Sequence, residues 1–125
     1  MESVSPNIFV HDLEATIAWY RKLGFDVATS VPDDQGKMIF ALMTNGNVTF
    51  MFQTLSSIDN QLLHVSRSRG GSLLLYVKMK NIRTFFDSIE DKSRVISGLE
   101  KTFYGATEFS VIDPDNFVIT FAEDE

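Results

Sequence analysis

Two aspartates flank a proline near the end of the chain, in VIDPDNFVITFAEDE, at a spacing that occurs both in cation sites and in turns. Acids one residue apart can ligate a cation, and they can equally form a turn between two strands. Pro114 presets φ for a turn, and Asn116 tolerates the left-handed conformation that the turn requires. We therefore interpret Asp113 and Asp115 as turn residues.

Other patterns that would indicate catalysis or metal binding are weak in this chain. It has no cysteine and only two histidines, His11 and His64, so disulfides and thiolate metal sites are excluded. No serine stands in a G-x-S-x-G turn, and RSRGGS lacks the spacing and the lysine of a phosphate loop. We interpret both histidines as loop or surface residues and RSRGGS as a linker.

The charge of the chain limits its partners. Its formal net charge is −6 at pH 7, and its pI is about 4.8, so nucleic acid and anionic membranes would be repelled. No stretch approaches the roughly 20 apolar residues of a membrane helix, and the N-terminus lacks the basic region of a signal peptide. We expect a cytoplasmic protein with neither a nucleic-acid nor a membrane partner.

The first half of the chain reads as strand, helix and three strands. NIFV is a short apolar strand, and HDLEATIAWYRKLGF is a helix that Asp12 caps at its start and Gly24 ends in a left-handed conformation. DVATSV, KMIFALM and NVTFMFQ are strand candidates, and Asn-Gly between the last two is a hairpin signal. The segment that follows predicts a short helix with Leu62 and Leu63 turned inward.

The same order restarts after the linker. SLLLYVKM predicts a strand, KNIRTFFDSIEDK a helix with Asn81 as its cap, and SRVIS, TEFSVID and FVITFAE three strands. The repeat predicts an α+β fold in which 125 residues form a single domain of two βαβββ modules. We place the modules at 4–55 and 72–123, with a connecting segment at 56–71. An ordinary α+β sandwich with a coincidental order of elements is the alternative.

Both ends of the chain resemble one family. PNIFVHDLEATIAWYRKLGF and YGATEFSVIDPDNFVITFAE resemble the opening and closing stretches of the vicinal oxygen chelate superfamily. This superfamily contains glyoxalase I, bleomycin and fosfomycin resistance proteins, and extradiol dioxygenases. The resemblance implies that each module forms a half-barrel around a central cavity and that the protein is a homodimer. It is specific for the fold and not for any activity.

In the enzymes of this superfamily, side chains of the first and last strands of each module hold a divalent metal. The resemblance carries these positions to Ser5, Phe50, Leu74 and Thr120. Two hydroxyls, a phenyl and an isobutyl group cannot hold zinc, manganese or iron, which need about three or four imidazole, carboxylate or thiolate ligands. We expect neither a metal nor another cofactor, and no catalytic residue is assigned.

Within the half-barrel that the resemblance implies, strand alternation predicts aromatic walls and few polar groups, which is typical of small-molecule sites. Its predicted lining residues are Ser5, Asn7, Phe9, Phe50, Leu74, Tyr76, Tyr104 and Thr120. The alternative is that the aromatic side chains fill the barrel and leave no pocket.

These observations favour a metal-independent protein that binds and sequesters a small molecule, similar to the bleomycin-resistance branch and thus resembling antibiotic resistance proteins. The expected ligand is apolar or aromatic, and a cationic ligand would suit the acidic chain. One alternative is a lyase, isomerase or epimerase acting on a small oxygenated metabolite, which would use either a metal held by an unexpected ligand set or a carboxylate such as Glu108 as a metal-free acid or base. Another is a dimeric module that contacts other proteins.

Overall fold

Each half of the chain folds into the order of strand, helix and three strands that the sequence predicts. The computed structural model describes all residues 1–125, which form two compact units, Met1–Arg67 and Ser68–Glu125. The predicted α+β class and the paired βαβββ order are confirmed. The assignment of both modules to a single domain stays a prediction.

The first unit contains four strands and two helices, and its sheet order is β1-β4-β3-β2. β1 runs parallel to β4, and the other neighbouring strands are antiparallel. The elements are β1 (Asn7–Val10), α1 (Leu13–Lys22), β2 (Asp26–Pro32), β3 (Met38–Asn45), β4 (Val48–Thr54) and α2 (Leu55–Ile58).

The second unit repeats this topology with the sheet order β5-β8-β7-β6. Again the first strand of the unit, β5, pairs in parallel with the last, β8. The elements are β5 (Leu74–Lys78), α3 (Ile82–Ser88), β6 (Val95–Lys101), β7 (Ala106–Ile112) and β8 (Val118–Asp124). None of the three helices is long and apolar enough to cross a membrane.

Helix α1 covers one face of the first sheet and forms an aromatic core with it. The Asp12 side chain accepts a hydrogen bond from the Ala15 N–H at 3.1 Å, which confirms the predicted cap. Tyr20 is fully buried and lies 4.6 Å from Phe52 between ring centroids. Phe25 stacks on Phe50 at 5.2 Å.

Helix α3 builds the matching core of the second unit. Ile82 is buried, and the Phe85 ring lies edge-on to Phe121 at 5.0 Å. Phe109, on β7, is in contact with Phe86 and Phe121 at 5.0 and 5.2 Å between ring centroids. These rings pack α3 against one face of β7 and β8.

Asn81 is the N-cap residue of α3, as predicted, but the capping carboxylate comes from another strand. Asn81 adopts a left-handed conformation with φ 60°, and its side chain makes no capping hydrogen bond. Instead the Glu123 carboxylate, from β8, accepts from the backbone N–H groups of Asn81 and Ile82, both at 3.0 Å. These two hydrogen bonds lower the pKa of Glu123, and the bond from the Ile82 N–H has a larger effect than the bond from the Asn81 N–H.

This cap predicts a pH-dependent contribution to stability. Because the pKa of Glu123 is lowered on folding, its contribution is fully present above the ordinary glutamate pKa of about 4.3 and is lost as the pH falls through the lowered value. We expect Glu123→Gln to lower the melting temperature by a few degrees at pH 7, and this difference should shrink as the pH falls below the ordinary glutamate pKa. Thermal unfolding of both proteins from pH 3 to 7 tests this, and a difference that does not change with pH would contradict it.

The connecting segment corrects the expectation that two leucines turn inward. Leu62 and Leu63 are 56% and 77% exposed. The Arg67 guanidinium organises this loop instead by donating to the carbonyl groups of Asp59, Gln61, Leu62 and Val65 at 2.6–3.0 Å. These hydrogen bonds hold Asp59 and Leu62 at positive φ of 47° and 49°, a conformation that is costly for both residues.

The DPDN stretch is a turn between β7 and β8, as the sequence predicts. Asp113 is fully buried, and its Oδ1 accepts from the N–H groups of Asp115 and Phe117, both at 2.9 Å. Asn116 takes the left-handed conformation with φ 68°. The Arg94 guanidinium donates to the Asp113 carbonyl at 3.0 Å. The first aspartate therefore binds backbone N–H groups of its own turn.

Candidate functional site

The face of the second sheet that points away from α3, called the far face here, carries most of the predicted polar residues of this unit. The register places Tyr76 of β5 beside Thr120 of β8, and Thr120 beside Ser110 of β7. Glu108 lies opposite Ala122 on the same two central strands. Because side chains alternate along a strand, Phe109 and Phe121 point to the helix while these residues share the far face.

Two tyrosine hydroxyls converge on one carboxylate oxygen of this face. Tyr76 and Tyr104 each donate to Glu108 Oε2 at 2.5 Å. Tyr76 reaches Glu108 across the intervening strand β8, a span of about two strand spacings of 4.8 Å. The residue opposite Glu108 on β8 is Ala122, whose small side chain leaves room for this path. The sequence predicts both tyrosines as cavity residues, and Glu108 only as a candidate acid or base.

The carboxylate keeps both phenols neutral. The pKa of Tyr76 and the pKa of Tyr104 are raised, first because each hydroxyl donates to the Glu108 carboxylate, and then because burial and the negative charge of Glu108 disfavour a phenolate. Both tyrosines therefore act as hydrogen-bond donors at neutral pH and do not serve as bases.

Removal of the charge at position 108 should make these tyrosines titrate at lower pH. In Glu108→Gln, we expect the midpoints of Tyr76 and Tyr104 ionisation to fall, because the anionic acceptor that favours the phenol form is gone. Ultraviolet absorbance at 295 nm, followed from pH 8 to 13, measures this. Glu90→Gln removes the same charge from an exposed residue outside the site and should leave the titration unchanged. Identical curves for all three proteins would show that the Tyr–Glu–Tyr contacts are absent in solution.

A hydroxyl pair adjoins this cluster. Ser110 Oγ and Thr120 Oγ1 are hydrogen-bonded at 2.8 Å, and Thr120 is 5% exposed. Leu74, the first residue of β5, is 49% exposed. Leu74 and Tyr76 are two residues apart on β5, and Tyr76 pairs with Thr120. The three residues therefore share one face, as strand alternation predicts. Ser110 was not predicted, and its two-residue spacing from Glu108 on a strand is the signal that could have found it.

The first unit corrects one predicted cavity residue. Phe50 is 4% exposed and packs against Tyr20 and Phe25 under α1, so it does not share a face with Asn7 and Phe9. The register pairs Asn7 with Met51, just as it pairs Tyr76 with Thr120 in the second unit. Met51 is therefore the residue that corresponds to Thr120, and the predicted position was displaced by one residue. Such a displacement moves a side chain to the opposite face.

The remaining predicted residues of the first unit lie at or near β1. Asn7 Nδ2 donates to Gln53 Oε1 at 3.1 Å, and Gln53 Nε2 donates to Ser57 Oγ at 3.1 Å. Phe9 and Ser5 are half-buried, and Ser5 precedes the strand. The face of the first sheet away from α1 therefore combines an aromatic residue with a short polar chain. Gln53 was not predicted.

The chain does not offer the donors of a catalytic metal at the positions that the resemblance implies. With Met51 in place of Phe50, the set is Ser5, Met51, Leu74 and Thr120, which contains no imidazole or carboxylate. The hydroxyl of Thr120 is already paired with Ser110. No group of three or more histidine, aspartate or glutamate side chains lies together in a way that could hold a metal ion. Both histidines are exposed.

A cleft of about 450 Å³ also lies in the second unit, at the start of α3 and the end of β8. Its residues include Asn81, Ile82 and Glu123. The two backbone N–H groups there already donate to Glu123, so they are not available to a ligand. We assign no ligand to it.

Solved structures with the same fold extend over nearly the whole chain. A glyoxalase/bleomycin resistance protein/dioxygenase family enzyme from Burkholderia phytofirmans PsJN is 20% identical, with a TM-score of 0.77 and 97% of each chain covered. A protein of unknown function from Agrobacterium tumefaciens str. C58 is 26% identical, with a TM-score of 0.77 over 100% of this chain and 95% of that chain. A bleomycin-binding protein complexed with bleomycin is 17% identical, with a TM-score of 0.69 over 100% of both chains.

No curated protein matches the sequence. The profile of one superfamily does match, over residues 3–121. This range includes both βαβββ units and the motifs that carry the sequence resemblance. The chain therefore belongs to the Glyoxalase/Bleomycin resistance protein/Dioxygenase superfamily.

Proposed function

We propose that this protein binds a small molecule with an aromatic or apolar part, without a catalytic metal, and that it acts by sequestration. The observation that carries the proposal is the far face of the second sheet. Two tyrosines and a carboxylate form a hydrogen-bonded cluster there, while Leu74 and Thr120 occupy positions at which metal-dependent relatives are expected to carry ligands. Apolar surface with a few fixed polar groups is the usual chemistry of a small-molecule site.

The exposure of the cluster supports this role. Tyr76 is 46% and Tyr104 56% exposed, so both tyrosines present surface to solvent beside the carboxylate that their hydroxyl groups contact. The solved bleomycin-binding relative holds its small molecule on the same fold, which supports small-molecule binding here.

Since many members of the superfamily dimerise, as the resemblance implies, we also propose a homodimer. Light scattering after size exclusion would measure its mass.

A metal-free enzyme is the second candidate, because Glu108 is a carboxylate beside two hydroxyl groups. In this role Glu108 would abstract a proton and a tyrosine would donate to the substrate oxygen. Both tyrosines already donate to Glu108 Oε2, so one would have to leave that contact in every cycle. Binding therefore accounts for the geometry more simply. Turnover of a hemithioacetal or an epimerisable acyl thioester in the presence of EDTA would favour the enzyme.

Three naphthalene compounds of similar shape test the binding proposal: 2-naphthylmethylammonium, 2-naphthalenemethanol and 2-naphthoate. Isothermal titration calorimetry in EDTA, with chemical shift changes by NMR for weak binding, should show saturable 1:1 binding of at least one of them. Protein purified without a chelator should contain far less than one metal ion per chain by mass spectrometry. Binding of none of the three compounds would overturn the small-molecule proposal. Stoichiometric zinc, nickel or manganese would overturn the metal-free part.

A further inference from the structure

We infer that Glu108 Oε1 receives an N–H group of a cationic ligand, so that the bound molecule is an organic ammonium ion attached to an aromatic or apolar body. This inference rests on the proposed function and adds the chemical class of the ligand. It is carried by the two oxygens of Glu108, by a second carboxylate beside it, and by the rings around both.

The two oxygens of Glu108 differ in their contacts. Both tyrosine hydroxyls donate to Oε2, and no protein group donates to Oε1. The tyrosines fix the orientation of the carboxylate while leaving one of its oxygens as an acceptor. A carboxylate oxygen in this state accepts from a charged N–H donor more strongly than from a neutral donor.

A second carboxylate lies directly across from this site. Glu100 of β6 pairs in register with Glu108 of β7, so both point to the same face. Neither carboxylate forms an ion pair with lysine or arginine. The ion pairs found in this unit are Lys78 with Asp124 and Lys101 with Glu125. Like charges directly opposite each other destabilise a sheet. A bound cation would relieve this repulsion.

Three solvent-exposed aromatic side chains lie at or next to this carboxylate. Besides Tyr76 and Tyr104, the hairpin tip between β6 and β7 presents Phe103, which is fully exposed and lies edge-on to Tyr104 at 5.1 Å between ring centroids. Ring faces attract ammonium groups within about 6 Å, and they also contact an attached apolar body. Rings and unpaired carboxylates therefore favour the same class of ligand.

The three naphthalene compounds separate this inference from the proposed function. We expect the ammonium compound to bind about ten-fold or more tightly than the neutral alcohol, as charge-assisted hydrogen bonds allow, and the naphthoate to bind least. If the alcohol binds as well as the ammonium compound, the inference fails and the proposed function stands. If none binds, the proposed function itself fails.

Variants then assign the preference to this carboxylate. In Glu108→Gln the ammonium compound should bind about as weakly as the alcohol, whereas Glu90→Gln, with the same change in net charge, should keep the preference. A preference retained in Glu108→Gln would overturn the inference and indicate general attraction by the acidic chain. If Glu108→Gln does not fold, as judged by circular dichroism, then Tyr76→Phe serves instead. This variant keeps the charge of Glu108 but removes one of the two hydrogen bonds that orient its carboxylate, so the preference for the ammonium compound should fall several-fold. An unchanged preference in Tyr76→Phe would count against the inference.

Discussion

Replacement of Phe109 by alanine is expected to lower the free energy of unfolding of the second unit by about 3–5 kcal/mol, the usual cost of truncating a buried phenylalanine. Phe109 is 1% exposed and contacts the rings of Phe85, Phe86 and Phe121. Its loss would leave a cavity under α3 that the neighbouring rings can fill only in part. Urea unfolding followed by circular dichroism measures the change.

The same substitution at an exposed position is the matched control. Phe103 is fully exposed at the hairpin tip, and Phe103→Ala should change the free energy of unfolding by less than about 0.5 kcal/mol. Phe109 also lies between Glu108 and Ser110 on β7, so Phe109→Ala is expected to weaken binding of the ammonium probe as well. Equal losses of stability in the two variants would contradict the assignment of Phe109 to the core.

Asp113→Ala is expected to cost about 2–4 kcal/mol in the free energy of unfolding. The substitution removes the acceptor of two backbone hydrogen bonds, from Asp115 and Phe117, and each hydrogen bond to a charged group contributes roughly 1.5–3 kcal/mol. Because Asp113 is fully buried, water does not easily replace it. Chemical denaturation of the variant measures this loss.

Asp113→Asn separates the contribution of the turn hydrogen bonds from that of the negative charge of Asp113. The asparagine Oδ1 can still accept from the N–H groups of Asp115 and Phe117, so Asp113→Asn should recover part of the stability that Asp113→Ala loses. If both variants lose the same amount, the hydrogen bonds of the turn do not explain the effect. A loss within about 0.5 kcal/mol in Asp113→Ala, as for an ordinary surface substitution, would also contradict it.

Features that depend on a few neighbouring residues could be predicted from the sequence. The Asp12 cap, the left-handed Gly24 and the left-handed Asn116 are all present. In each case the partner groups lie within about four residues along the chain, so the residue types and their spacing already define the conformation. The order of strands and helices follows in the same way from the apolar periodicity.

Three predictions were incomplete or wrong where a distant group made the decision. Asn81 is the N-cap residue of α3, as predicted, but the carboxylate that accepts from the first N–H groups comes from Glu123 of the last strand and not from the Asn81 side chain. Phe50 lies under α1, because the pairing of β1 with β4 sets which face it takes. Leu62 and Leu63 are exposed, in a loop whose carbonyl groups accept hydrogen bonds from Arg67. None of these partners can be identified from local spacing.

The repeated βαβββ order, the superfamily, and the absence of metal-ligating residue types at Ser5, Leu74 and Thr120 follow from the sequence, because they depend on composition, periodicity and motif spacing. The meeting of Tyr76 and Tyr104 at Glu108 is visible only in the folded chain, since Tyr76 and Glu108 are 32 residues apart. It results from the strand order β5-β8-β7-β6: parallel pairing inserts the last strand between β5 and β7. The register of that strand places the small side chain of Ala122 opposite Glu108, where the Tyr76 side chain crosses.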